Sequence, residues 1–90
     1  MKPEDVLMDL DVLVSHAAER GFRPEVLNIG PMGSYQVLFV GPLNFTVTCD
    51  RGQLSLEGER PQLESHGLWR VFDDRRAFAD AVIAWIPPRP

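Results

Sequence analysis

Ninety residues, 44% of them apolar and 24% charged, with a formal net charge of -4, allow one domain around a single core and exclude a second domain or a deep enclosed substrate cavity. Nine basic residues stand against thirteen acidic ones and Lys2 is the sole lysine, which excludes binding driven by phosphate neutralisation; neither nucleic acid nor a membrane is expected as a partner. The single cysteine, Cys49, rules out an intramolecular disulfide and a cysteine-based zinc framework, and no apolar run approaches the ~18 residues of a membrane span, so a cytoplasmic protein is expected.

Pro3, followed by Glu4 and Asp5, predicts a helix start near Lys2 or Pro3, with proline in the first turn and acids at the positive end of the dipole. Val6, Leu7, Leu10, Leu13, Val14, Ala17 and Ala18 then form one apolar arc at about 100° per residue. Gly21 supplies a C-cap for this helix.

Beyond Gly21 the period changes to alternation, and turn residues recur at the spacing of an antiparallel meander. Arg23 to Ile29 reads as a strand with Pro24 at its start or edge, and Gly30-Pro31-Met32-Gly33 as a turn. Tyr35 to Val40 has two partly apolar faces and is expected in a central position. Asn44 to Cys49 places Phe45, Val47 and Cys49 on the core face, and Asp50-Arg51-Gly52 turns the chain into its partner strand, Gln53 to Glu57.

Residues 58–68 lack a clean period and read as a long loop, followed by a brief strand from Trp69 to Phe72. Asp73 or Asp74 caps a last helix to about Ile86, with Ala77, Phe78, Ala81, Val82, Trp85 and Ile86 on its apolar face. The prolines from Pro87 onward end it. The expected fold is an α+β two-layer sandwich in the order α-β-β-β-β-(β)-α, with both terminal helices on one face of an antiparallel meander. Residues 1–86 form the single domain and 87–90 a proline-rich tail.

No catalytic constellation emerges. His16 lies on the polar face of the first helix, two turns from Asp9 and too distant for a direct hydrogen bond. Ser15 and His16 diverge by about 100°, and no G-x-S-x-G elbow is present. Two histidines and one cysteine form neither H-E-x-x-H nor C-x-x-C, so neither a metal nor another cofactor is expected, and Cys49 reads as core packing. The glycines of residues 30–33 precede a strand, whereas a phosphate cradle precedes a helix.

What remains suggests contact with another protein. Met8 and Val12 project onto the polar side of the first helix and Ile83 onto the outer side of the last, while Leu38 and Val40 lie on the second face of the sheet. Arg75 and Arg76 sit at the unfavourable positive end of the last helix, which calls for carboxylates nearby or on a partner. With Asp5, Asp9 and His16 on the acidic first helix, these residues form a candidate interaction surface for a protein partner. A homodimer burying Leu38, Val40 and Phe72 is the second expectation. A ligand site around Glu64, His66 and Trp69 in the 58–69 loop is the third. The expected function is that of a small acidic interaction module without turnover.

Overall fold

The computed structural model describes residues 2–58 and 60–87, so the tail expected over 87–90 lies outside the described residues beyond Pro87. Its element order is two short helices, α1 (Pro3–Asp9) and α2 (Asp11–Glu19), four strands, and two further helices. The strands β1 (Arg23–Ile29), β2 (Tyr35–Val40), β3 (Phe45–Asp50) and β4 (Gln53–Glu57) form one antiparallel sheet in the order β1-β2-β3-β4. The helices α3 (Arg60–Ser65) and α4 (Arg75–Trp85) complete the chain. This is the α+β meander with flanking helices that the alternation and the two amphipathic arcs predict.

The strand pattern follows from the period-2 rule. Tyr35, Val37 and Phe39 of β2 are buried, as are Phe45, Val47 and Cys49 of β3 and Leu54 and Leu56 of β4. The register aligns them in rows, Val37 opposite Val47 and Val47 opposite Leu56. Four aromatic rings tie this face to the helices and connections: Phe39 stacks on Phe45 at 4.9 Å, and Phe22 and Trp85 meet Phe45 edge-on at 5.4 and 5.5 Å. Each such pair adds about 0.5–1.5 kcal/mol beyond area burial. The β3–β4 hairpin closes on Arg51 and Gly52, both at positive φ, which is the backbone of a two-residue turn matched to the sheet's twist.

The first helix is interrupted where the sequence predicts continuity. Leu10 has φ -110° and ψ 24°, and the Asp11 carboxylate accepts the Val12 N–H at 2.8 Å, opening a new helix start. Across the break the buried stripe is Val6, Leu10, Leu13 and Ala17, narrower than the predicted arc. Ala18 is exposed, and Leu7 and Val14 are half-buried. After α2 the chain turns on Gly21 at φ +84°, with Phe22 N–H donating to the Ala17 carbonyl and Gly21 N–H to that of Ala18. This pair of bonds satisfies the last carbonyls of the helix and needs the left-handed residue.

The expected loop over 58–68 contains α3 instead. Six residues are too few to show a helical period, and the helix is held by one side chain, Leu63, which with Leu68 is fully buried. The brief strand reduces to a bridge in which Phe72 and Leu54 exchange two backbone hydrogen bonds of 2.7 and 2.8 Å. Phe72 accordingly faces the core, edge-on to Phe78, and does not lie on the second face of the sheet with Leu38 and Val40.

In α4 the Asp74 side chain accepts the Arg76 N–H, as a cap should. The buried set is Phe78, Ala79 and Val82, followed by Ile86, whereas Ala77 is exposed. The buried arc is rotated from the expected one because α4 packs against α2 as well as the sheet. For the same reason Ile83 is half-buried against the core and not outward-facing.

Arg20, at the C-cap of α2, donates its guanidinium to the carbonyls of Ile83 and Ile86 at the end of α4. At the other end Arg75, the first residue of α4, contacts Asp9 just before α2 begins. The two helices therefore run parallel, with aligned dipoles that repel. Acids at the two starts and Arg20 at the two ends offset that repulsion.

Candidate functional site

The interruption at Leu10 places Asp9 at the junction of α1, the sheet and α4. Its Oδ2 accepts from Arg75 Nη2 at 2.7 Å and from the Tyr35 hydroxyl at 3.1 Å. Burial pushes the Tyr35 phenol well above its ordinary value, reinforced by its cross-strand partner Cys49 and by Asp9. The Asp9 hydrogen bond likewise raises Arg75. This arrangement keeps Tyr35 a neutral donor and Arg75 charged, so Asp9 is committed to binding the two layers together.

A groove of about 220 Å³ opens beside this junction, between the first turn of α2 and the first turn of α4. Leu10, Leu13, Phe78 and Ala79 supply its apolar floor and walls. Asp11, Val12 and Arg76 stand at its mouth with the Asp9–Arg75 pair. Val12 is 41% exposed, and Met8, on α1 across the break at Leu10 and outside the groove's lining, is 73% exposed. Two other hollows have different linings. One of about 250 Å³ is lined by polar side chains such as Asn28, Gln36, Thr48 and Asp50, and one of about 330 Å³ lies between Leu43, Gln62 and Trp85.

Of the residues singled out in the sequence, Asp9, Val12, Arg75 and Arg76 are brought together here. Arg76 also lies 3.9 Å from Asp80, one turn on. Asp5 is exposed, and its carboxylate accepts the Lys2 backbone N–H at 2.9 Å. His16 sits further along α2, 4.0 Å from Glu19, and takes no part in the groove. Leu38 and Val40 are half-buried on the opposite side of the sheet, in outward rows with Glu25 and Arg23, so they do not share a surface with Met8 and Val12.

The proposed ligand segment is organised around Arg60. Its guanidinium reaches Glu64 at 3.5 Å and covers the Trp69 ring at 5.3 Å from the centroid. Glu64 and Trp69 are thus engaged with the same cation, while His66 is exposed at the end of α3. Among the described residues, no three His, Cys, Asp or Glu side chains are grouped as a metal site would need, and no helix is long and apolar enough to cross a membrane.

Tyr35 and Arg20 are the two residues that local pattern does not mark. Tyr35 reads as one member of an alternating strand and Arg20 as a helix-end cation. Their roles depend on Asp9 and on Ile83 and Ile86, which no local spacing connects to them. No protein-family model, curated protein or solved structure matches this chain.

Proposed function

We propose that this protein is a small interaction module without turnover, and that it binds a protein partner through the helix layer at the groove between α2 and α4. The observation that carries this reading is the apolar floor of Leu13, Phe78 and Ala79 opening beside the exposed Val12. Large apolar side chains grouped around a concave surface with a charged rim have the anatomy of an interface core. The groove admits one anchoring side chain and is smaller than the roughly 300 Å³ at which small-molecule pockets begin. The ring of charge around it orients a partner without supplying a nucleophile or a placed base.

The test is co-purification from native cells with two matched pairs of variants. Met8→Glu/Val12→Glu is expected to lose a stoichiometric partner that the wild type and Leu38→Glu/Val40→Glu both retain, with unchanged circular dichroism. Loss only in the Leu38→Glu/Val40→Glu protein, together with a dimer in sedimentation, would replace this reading with self-association through the sheet. A defined partner that binds all forms equally would remove the groove from the interface.

A further inference from the structure

We propose that β1 is a guarded edge: Pro24 and a bulge at Leu27 stop the sheet from adding a further strand, whether from a second copy of the chain or from an extended segment of a partner. The device stands apart from the groove between α2 and α4, and it excludes strand addition as a way of binding this protein.

The sheet has two edges, and they end differently. On β4, Leu54 exchanges two backbone hydrogen bonds with Phe72, so part of that edge is already paired. On β1, among the described residues, no strand or bridge lies on the outer side. A seven-residue edge whose N–H and C=O groups face outward is a template for another strand.

Which groups β1 presents follows from the alternation of an antiparallel ladder. Leu54 points its backbone away from β3, so Gln53, Ser55 and Glu57 point theirs towards it. Carried through the register, the same alternation turns Tyr35, Val37 and Phe39 towards β3 and Gln36, Leu38 and Val40 towards β1. Their partners Arg23, Glu25 and Asn28 therefore face β2, and Pro24, Val26 and Ile29 face outward.

Proline falls at one of the outward places, where β2 needs no N–H from it and an incoming strand would. Leu27 is the extra residue between Val26 and Asn28, and it stretches the outward spacing from two residues, Pro24 to Val26, to three, Val26 to Ile29. An incoming strand would meet only Val26 with both backbone groups in regular position, between a missing donor and a break in phase. Arg23 and Glu25, paired at 2.7 Å, keep charged side chains on either side of Pro24. Leu27 is 55% exposed, and deleting it would leave every other pairing of β1 with β2 in its present register.

Sedimentation of the full chain across a wide concentration range tests the device, with circular dichroism to confirm that each variant is folded. The wild type is expected to stay monomeric. Pro24→Val supplies the missing N–H, and a symmetric β1–β1 pair then gains one hydrogen bond from each copy. Association should appear at concentrations about tenfold below any at which the wild type assembles. Deletion of Leu27 restores the regular outward spacing and should act in the same direction, more strongly in combination. Val26→Pro in the opened protein removes the remaining outward donor and should return it to a monomer. If neither folded variant associates more readily than the wild type, the guard is overturned. Wild-type association that protects the Val26 amide from hydrogen exchange would overturn it too. Association of an opened variant that survives Val26→Pro would assign the contact to another surface and remove β1 from it.

Discussion

Arg75 and Asp9, 66 positions apart in the chain, meet at 2.7 Å where the two parallel helices begin. The contact answers the question raised by an arginine in the first turn of a helix. Its unfavourable position on the dipole of α4 is offset by a carboxylate delivered from the break between α1 and α2. Because the same carboxylate oxygen accepts the Tyr35 hydroxyl, the pair also anchors both helices to the centre of the sheet.

Removing the shared acceptor should cost more than removing either donor. Asp9→Ala leaves the buried Tyr35 hydroxyl without its partner and is expected to lose about 1–2 kcal/mol. Arg75→Ala should lose less than about 1 kcal/mol, because that guanidinium is 47% exposed and well screened. Urea denaturation of the two variants gives the comparison, and equal losses would contradict the hub role of Asp9.

Alkaline pH should destabilise the protein through Tyr35. Its folded-state value lies above the ordinary 10.0, so the unfolded chain gives up the phenolic proton first. The contribution is complete below about pH 10 and declines as pH rises beyond it. Tyr35 is the only tyrosine, so the phenolate absorbance reports this group alone. It should appear together with unfolding, and Tyr35→Phe should flatten the melting temperature over the same range.

Arg20 should stabilise α4 more than its own helix. Arg20→Gln removes the cation facing the last carbonyls of α4 and is expected to cost about 1–2 kcal/mol, the range for a partly buried charge at a helix end. Hydrogen exchange should show faster opening at Val82 to Ile86, while the amides of β2 and β3 change only with global stability.

Leu63 distinguishes an anchored helix from a surface loop. With a fully buried side chain, Leu63→Ala should cost about 2–5 kcal/mol, whereas Gln62→Ala, one residue away and exposed, should stay within about 0.5 kcal/mol. Thermal melts of the two proteins provide the measurement, and similar values would place residues 60–65 outside the core.

The strands were readable from sequence because their information is local. Val37, Phe39, Phe45, Val47, Leu54 and Leu56 alternate with polar or less buried neighbours, and each turn contains a glycine or a proline. The break at Leu10 was not readable, since it depends on a side-chain bond from Asp11 within an otherwise continuous helical period. Nor was α3, whose single anchor is indistinguishable from a leucine in a loop until the sheet is there to receive it. Half of the groove was visible as residues that fit no core arc, namely Val12, Arg75 and Arg76. Of its floor, Leu13 and Phe78 read as ordinary core in each helix taken separately, and Ala79 falls outside the apolar arc that the sequence predicts for the last helix. Their convergence comes from the parallel packing of two segments separated by the whole sheet.

That packing order has a consequence for biosynthesis. Phe78, Val82 and Ile86 cover the sheet from α4, so the meander emerges from the ribosome with Tyr35, Val37, Phe39 and Phe45 shielded on only one flank. A nascent chain that has not yet released α4 presents a sticky half-core open to aggregation or to a chaperone, and loss of α4 would discard the lid while leaving the sheet residues in place. Closure of the core thus waits on α4, the last of the described helices.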